Sequence, residues 1–247
     1  MIKIYIIWLR QLKRFFRSKS RLIGSIAQPL LFLLALGFGF GPIFQKAGGG
    51  NYIQFLAPGV IGMAILTTSL FSGAEIIWDR QFGFLKEMLV APVSRLEIMI
   101  GRTLGGATVA VLQGAIVFFV SLFVGFRPQV SFWPLSLIFM FFIAVLFCAL
   151  GTTIASLIED MQGFQLIMSF LIMPLFFFSG ALFPLQGLPQ IFIKIASINP
   201  LSYGIDGLRV SLINGGHFGV FVDFTVLGLF AILFLVLGSY FFSKMEI

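Results

Sequence analysis

Few side chains in this sequence could take part in catalysis or bind a metal. The 247 residues include one histidine, His217, one cysteine, Cys148, and nine acidic residues. A structural metal site needs about four ligands close together, and a nucleophilic triad needs a base and an acid beside its nucleophile. His217 is therefore predicted to be a surface residue, and Cys148 has no partner for an internal disulfide. The sequence predicts neither a metal site nor a catalytic set.

Common signatures of nucleotide binding are missing as well. No G-x-x-x-x-G-K-[ST] segment occurs, and Gly37, Gly39 and Gly41 precede Pro42 and do not fit the dinucleotide pattern. Acidic residues stay out of the middle of the apolar runs described below, whereas ion-coupled carriers usually have ionisable groups within the membrane. These absences predict a transport pathway that does not itself supply the energy for transport, which would come from another protein.

The polar side chains inside the apolar runs are uncharged hydroxyls and amides, such as Ser169, Gln28 and Gln113. Thr67, Thr68, Ser69 and Ser72 place hydroxyl groups around much of one helix, at a depth expected to be near the middle of the membrane. Such groups more often link helices than bind ligands, but they are the candidate pathway residues. Because phenylalanine is abundant on the other runs, a pathway here would suit an amphipathic or lipid-linked substrate better than a small ion.

The elements that must position these groups are apolar. The composition is 59% hydrophobic and only 10% charged, with a mean hydropathy of +1.08. A soluble domain has about 25% charged residues, and a water-soluble fold of this composition would leave too much apolar surface wet. The composition therefore excludes a cytosolic enzyme, a disordered chain and a disulfide scaffold, and it predicts an integral membrane protein.

Long uncharged runs predict the number of spans. A helix needs about 20 apolar residues to cross the hydrocarbon layer, and no run alternates as a β-barrel strand would. Gly106, Ala110 and Gly114 also form a small-residue seam suited to helix packing. We therefore predict an all-α fold with six transmembrane helices. The six runs are Leu22–Gln45, Ala47–Ala74, Thr103–Phe126, Pro128–Ile158, Met161 up to but not including Lys194, and Phe224–Ser243.

The distribution of basic residues predicts the orientation. With six spans, twelve of the 16 Lys and Arg residues fall on one side, seven of them within residues 1–21. Because Lys and Arg accumulate on the cytoplasmic side, both termini are expected in the cytoplasm. A cleaved signal peptide is the alternative for the N-terminal part, but its apolar region would have 7–15 residues, fewer than the first run has.

Two cytoplasmic pieces are predicted to be short helices. Residues 1–21 combine an apolar stripe with a basic one, which is typical of a helix lying in the membrane interface. This helix could anchor the topology, touch a cytoplasmic partner, or do both. A second amphipathic segment covers 79–92 and should end at Pro92. An ordinary loop is the alternative for this segment. Ser94 and Glu97 form a capping-box pattern, so the third span is expected to begin at Ser94.

The external stretch 183–219 is apolar but interrupted by proline and glycine. Its pieces are too short to span, which is typical of re-entrant or interfacial helices. Asp206 and Arg209 are three residues apart and could pair on a helix. The stretch is a candidate external gate, or a lid that only covers helix ends.

Several motifs, taken together, identify a family. They are Phe55–Gly59 (FLAPG), Glu87–Arg95 (EMLVAPVSR), Ser179–Pro184 (SGALFP), Asn199–Tyr203 (NPLSY) and Asp206–Arg209 (DGLR). With them, essentially the whole chain resembles the membrane permease of type 2 ABC exporters, the ABC-2 family. Within that family it is most similar to the short drug-resistance and nodulation-type export permeases.

The resemblance implies an organisation for the chain. Residues 1–247 would form a single ABC-2 transmembrane domain. Within it, 1–21 would be an interface helix, 79–92 a coupling helix docked on an ATPase, and 184–215 an external re-entrant gate segment. The permease would be a homodimer in the cytoplasmic (inner) membrane of a prokaryote, in contact with lipid and not with nucleic acid. Two copies of a separate ABC ATPase subunit would bind ATP and Mg, so this chain would hold no cofactor and would not be an enzyme.

The resemblance also assigns roles to particular residues. Contact with the ATPase is expected from Phe82, Leu85, Glu87, Met88, Arg14 and Arg17. The external gate is expected to involve Asn199, Pro200, Tyr203, Asp206 and Arg209.

The substrate is less closely defined. The resemblance to drug exporters and the scarcity of polar groups in the spans favour a hydrophobic or amphipathic molecule, drug-like or lipid-linked. Exporters of lipid-linked polysaccharide or lipo-oligosaccharide share the family's fold and are the alternative. A secondary carrier or channel working without an ATPase is the more distant alternative.

Overall fold

The computed structural model describes residues 2–83, 93–129 and 133–244, and these residues contain helices and no strand. The fold class predicted from composition, an all-α protein, is confirmed for this part of the chain. Its ten helices are α1 Ile2–Arg17, α2 Lys19–Lys46, α3 Tyr52–Ser72, α4 Ala74–Gln81, α5 Arg95–Phe123, α6 Trp133–Leu157, α7 Met161–Phe177, α8 Gln190–Ile198, α9 Pro200–Ile213 and α10 Val220–Lys244.

Within the described residues, five helical segments are long and apolar enough to cross a membrane. They are Ile26–Lys46, Tyr52–Gln81, Arg95–Phe123, Trp133–Leu157 and Val220–Lys244. The predicted fifth span is the shorter apolar helix α7, whose 17 residues cover only about 26 Å. Six spans are therefore not confirmed and stay a prediction.

The apolar run containing α7 is longer than its helix because the chain turns inside it. The helix ends at Phe177, and Gly180 follows with φ +75°, a left-handed conformation that glycine adopts readily. Two short helices, α8 and α9, then occupy the predicted external segment and meet at Asn199. Their re-entry into the membrane stays a prediction.

Helix α3 lies at the centre of the molecule and is buried along most of its length. Its neighbours come very close because glycines face it. A Cβ placed on Gly114 of α5 would lie 2.6 Å from the Ile65 side chain, and one on Gly106 would lie 2.7 Å from Ser72 Oγ. The small-residue seam on α5 therefore packs within the chain, as its spacing indicated.

The predicted beginning of α5 is confirmed. Ser94 precedes the first helical residue, and its Oγ accepts a hydrogen bond from the Glu97 amide at 3.2 Å. The Glu97 carboxylate in turn accepts one from the Ser94 amide at 2.8 Å. This reciprocal capping box satisfies two amides that the helix leaves free. The first part of the 79–92 segment belongs to α4 and the turn after it. Residues 84–92, including Leu85, Glu87 and Met88, lie outside the described residues.

The direction of α3 defines two ends of the bundle. At its first turn, Tyr52 donates a hydrogen bond to the Leu182 carbonyl, close to the loop before α8. After its last turn, α4 contacts α1. We call these the α9 end and the α1 end. A helix of 21 residues separates them by about 30 Å, which matches the hydrocarbon thickness.

Candidate functional site

A cavity of about 780 Å³ opens beside α3, near the α1 end. Helices α1, α2, α4, α5 and α7 supply the rest of its walls. This volume falls within the range of small-molecule sites in proteins. Its polar lining is uncharged except for Glu75 and consists mainly of Gln11, Gln28, Thr67, Thr68, Ser72, Gln165 and Ser169; its aromatic lining consists of Phe15, Phe32, Phe71, Trp78, Phe176 and Phe177.

The structure brings three of the four candidate pathway hydroxyls to this cavity. Thr67, Thr68 and Ser72 line it, whereas Ser69 is fully buried and is not among the lining residues. On a helix with about 100° per residue, residues 67, 68 and 72 fall within an arc of about 140°, and residue 69 lies about 60° beyond its edge. Thr67 donates its hydroxyl proton to the Met63 carbonyl at 2.9 Å, which leaves lone pairs on its oxygen as acceptors.

Ion pairs lie at the α1 end of the bundle, and one of their members, Glu75, also lines the cavity. Glu75 and Asp79 lie one turn apart on α4, and Arg14 and Arg10 lie one turn apart on α1. The Arg14 guanidinium is 3.7 Å from the Glu75 carboxylate, and the Arg10 guanidinium is 2.9 Å from that of Asp79. Asp79 also accepts a hydrogen bond from Arg102 of α5. We call these five residues the α1–α4–α5 ion cluster.

The ion cluster is reinforced by aromatic contacts of α1. Arg14 lies over the ring of Trp78, with 5.2 Å between the guanidinium carbon and the ring centre. Trp8 donates its indole N–H to the Thr108 hydroxyl of α5 at 3.0 Å. Sequence reasoning placed Arg14 beside an ATPase and missed these intramolecular partners. The matching four-residue spacing of the two acids and the two arginines was the signal that could have revealed them.

At the α9 end, Arg209 joins three segments that are distant in sequence. Its side chain is buried, and it donates hydrogen bonds to the carbonyls of Gly180 at 2.7 Å and Ala181 at 3.1 Å. Its guanidinium also lies over the ring of Phe55 at 3.8 Å from the ring centre. Arg209 of α9 therefore links the turn after α7 to the first turns of α3.

The predicted pairing of Asp206 with Arg209 is replaced by other partners. The Asp206 carboxylate accepts hydrogen bonds from the backbone amides of His217 and Phe218, both at 2.8 Å. It thereby fixes the loop between α9 and α10 rather than the turn after α7, since the two side chains leave α9 toward different loops. The His217 side chain is exposed, as expected of a surface residue.

The remaining predicted gate residues hold the junction of α8 and α9. Asn199 caps α9 by accepting from the Leu201 amide at 3.0 Å, and its side-chain amide donates to the Leu175 carbonyl of α7 at 2.6 Å. Pro200 occupies the first position of α9, where its missing N–H costs nothing. Tyr203 donates to the Ser197 carbonyl at 2.8 Å. The five residues thus lie in one region, but whether they gate a pathway stays a prediction.

The predicted ATPase-contacting residues are only partly placed. Phe82 follows α4 at the α1 end and is 83% exposed. Arg17 is exposed at the end of α1. The described residues contain no group of three or more His, Cys, Asp or Glu side chains arranged to hold a metal ion. Cys148 is buried, and its sulfur lies 3.3 Å from Ser72 Oγ.

Several apolar helices of membrane length around a neutral cavity define a multi-pass membrane protein. The chain belongs to the ABC-2 type transporter family, whose profile matches residues 2–213. The resemblance carried by the sequence motifs is therefore confirmed.

Individual relatives agree with the family assignment. The chain is 30% identical to nodulation protein J of Rhizobium leguminosarum bv. trifolii over 216 residues, which cover 86% of this chain and 79% of that protein. It is 28% identical to the inner membrane transport permease YadH of Escherichia coli K12 over 231 residues, or 92% and 90% of the two chains. A putative transport permease, ycf38 of Porphyra purpurea, is 34% identical over 201 residues, or 78% and 68%. Members of this family are membrane subunits that work with ABC ATPase partners.

Proposed function

We propose that this chain is the permease subunit of an ATP-driven exporter that moves a hydrophobic or amphipathic molecule out of the cytoplasm. The observation that carries the proposal is the cavity beside α3, which lies within apolar helices of an ABC-2 family member. Its location in the inner membrane of a prokaryote is proposed from the name of the relative YadH.

The chemistry of the cavity supports an amphipathic substrate. Six aromatic rings can pack against an apolar body, and the amides of Gln28 and Gln165 can both donate and accept hydrogen bonds. Thr67 and Ser72 give their protons to carbonyls of their own helix and so act as acceptors. The one acid of the lining, Glu75, is already paired with Arg14. A small ion would find no ring of carbonyls or charges in this lining.

The same lining keeps a lipid-linked glycan as the second candidate. Sugar hydroxyls pair well with side-chain amides, and sugar rings pack on aromatic faces. The cavity lining offers both kinds of group, with Gln165 on α7 and Trp78 on α4.

The energy would come from two copies of a separate ABC ATPase subunit holding ATP and Mg, attached to a homodimer of this chain. The proposed coupling segment 79–92 begins within α4 at Asp79, a member of the ion cluster, so a push on this segment would reach the cluster first. Leu85, Glu87 and Met88 remain the proposed contacts there, together with exposed Phe82. Of the two arginines expected beside them, Arg14 is paired with Glu75, and Arg17 lies in a groove along α1 for which a different ligand is argued below. In such a transporter the permease would alternate between a conformation closed to the outside and one open to it. ATP can drive this alternation only if the ATPase binds the two conformations with different affinities.

An exposed apolar face on α7 is the candidate contact for a second copy of the chain. On α7, the side chains of Leu166, Phe170 and Met173 are all strongly exposed, beside the open side of the cavity. In a membrane this face would contact lipid or a second copy, and a dimer would close the cavity laterally.

The proposal is tested by purification followed by transport. The tagged full chain should co-purify with a P-loop ATPase, and everted membrane vesicles containing both should accumulate rhodamine 6G when ATP is added. Ser169→Trp fills the cavity and should reduce this accumulation at least tenfold. Leu229→Trp, at an exposed position of α10 outside the lining and away from the α7 face, is the matched control and should not.

Each other outcome has a distinct meaning. Dye movement without any ATPase would show a carrier or channel and overturn the proposal. An ATPase complex that ignores the dye but exports a radiolabelled lipid-linked glycan, blocked by Ser169→Trp, would establish the second candidate. Equal transport activity of the two Trp variants would show that the substrate does not pass through this cavity.

A further inference from the structure

Helix α1 carries a groove of about 870 Å³ on the side away from the core, separate from the cavity beside α3. Residues three or four apart on a helix lie on one face, and this groove follows such a face. It is lined mainly by two aliphatic and four basic side chains, Ile6, Leu9, Arg10, Lys13, Arg14 and Arg17.

The basic charges of this groove are only partly neutralised. Arg10 and Arg14 belong to the ion cluster and face Asp79 and Glu75 of α4. Lys13 and Arg17 are exposed. No acidic side chain lines the groove in the part of the chain that the structure describes. Two cations therefore remain available to an anionic ligand from outside.

The groove is held rigidly at the level of the membrane surface. On its inner face α1 is fixed by buried Gln11 and Phe15 and by the Trp8 hydrogen bond to Thr108. Immediately after α1, helix α2 begins, and its membrane-length segment starts at Ile26. A groove eight or more residues ahead of that segment, on an amphipathic helix, lies where phospholipid headgroups are found.

We propose that this groove binds the headgroup of an anionic phospholipid, with the phosphate between Lys13 and Arg17 and the first methylenes of the acyl chains against Ile6 and Leu9. The charges match a phosphodiester, and the aliphatic edge matches the apolar part of the same molecule. A zwitterionic lipid would bring its own cation close to the two free cations and would bind less well.

The test uses the purified full chain in dodecyl maltoside, titrated with fluorescent phosphatidylglycerol or phosphatidylcholine and followed by anisotropy. Phosphatidylglycerol should bind more tightly. Each basic side chain near an anionic surface contributes about a fivefold factor in binding, so Lys13→Gln with Arg17→Gln should weaken phosphatidylglycerol binding about 30-fold. Phosphatidylcholine binding should hardly change.

The matched control removes the same number of charges elsewhere. Lys46→Gln with Lys194→Gln alters two exposed lysines at the α9 end and should leave phosphatidylglycerol binding intact. Equal losses in the two double variants would overturn the proposal, because only net charge would then matter. Displacement of the lipid by millimolar inorganic phosphate would show a free-anion site instead. If the Lys13 and Arg17 variant keeps its lipid affinity but no longer co-purifies with an ATPase, the groove is a subunit contact.

Discussion

The ion cluster at the α1 end gives the sharpest test of the structure. Asp79 accepts hydrogen bonds from Arg10 of α1 and Arg102 of α5, so one carboxylate holds three helices together. The Asp79 and Arg102 side chains are only 6% and 4% exposed. Asp79→Asn keeps the shape of this side chain and removes its charge.

The loss of stability expected from Asp79→Asn follows from the burial of the ion pair. Removing one partner of a buried ion pair costs about 3–5 kcal/mol, because the other charge stays behind in a poorly solvated place. An exposed ion pair contributes only about 0–1 kcal/mol. The chain offers such a pair on the same helix, since Arg80 lies 3.1 Å from the carboxylate of Glu159, whose side chain is 82% exposed. We therefore expect Asp79→Asn to lower the free energy of unfolding by about 3 kcal/mol more than Glu159→Gln does.

The single cysteine provides the assay. Cys148 is buried and free, so a thiol-reactive fluorescent dye will label it only when the bundle opens. Labelling is followed while the detergent-purified chain is heated or exposed to denaturant. In the Asp79→Asn variant Cys148 should become labelled at a lower temperature or denaturant concentration, and the Glu159→Gln variant should behave like the unchanged chain.

A second variant separates a lost ion pair from a general folding defect. Asp79→Asn combined with Arg102→Met removes both charges, and replacing a buried pair by apolar groups is often close to neutral. The double variant should recover most of the lost stability. The reasoning is refuted if Asp79→Asn matches Glu159→Gln, or if Arg102→Met makes the Asp79→Asn protein still less stable.

Three further changes test other parts of the molecule. Glu87→Arg should lower transport-coupled ATP hydrolysis in reconstituted vesicles while membrane insertion is unaffected, and unchanged coupling would contradict the assignment of the coupling helix. Gly73→Ala should destabilise the bundle by about 1–3 kcal/mol, because a Cβ there collides with the Gly151 carbonyl; Gly41→Ala, with open space around it, should not. Arg209→Lys loses the planar guanidinium that bonds two carbonyls, so hydrogen exchange in the turn after α7 should speed up; protection equal to that of the unchanged chain would show that Arg209 does not hold it.

Local features of the fold could be predicted from sequence because their causes are local. The capping box at Ser94 needs only residues within one turn, and the seam at Gly106, Ala110 and Gly114 needs only helical spacing. The end of α7 could not be predicted from hydropathy. An apolar run continues through Gly180 although the helix stops before it, so counting uncharged residues overstates the length of the helix.

The candidate site was less predictable, because its contacts join residues far apart in the chain. Hydroxyls at Thr67, Thr68 and Ser72 indicated which helix lines the cavity. The partners of Arg209 are backbone carbonyls 28 and 29 residues away, and no residue type marks a carbonyl in a sequence. For the same reason Asp206 was expected to pair with Arg209 on its own helix, whereas its carboxylate accepts hydrogen bonds from two backbone amides of the following loop.

The two ends of the bundle are joined by α3, which belongs to the most buried membrane-length segment of the described residues. Helix α3 is buried on nearly all sides, so it can shift only as a rigid body against its glycine contacts. Its first turns are held by Arg209, and α4, which follows its last turn, is held by the ion cluster. A displacement at one end must therefore strain the contacts at the other. We expect that loosening the ion cluster with Asp79→Asn also speeds hydrogen exchange around Gly180, about 30 Å away; exchange that changes only at the α1 end would show that α3 does not couple the two ends.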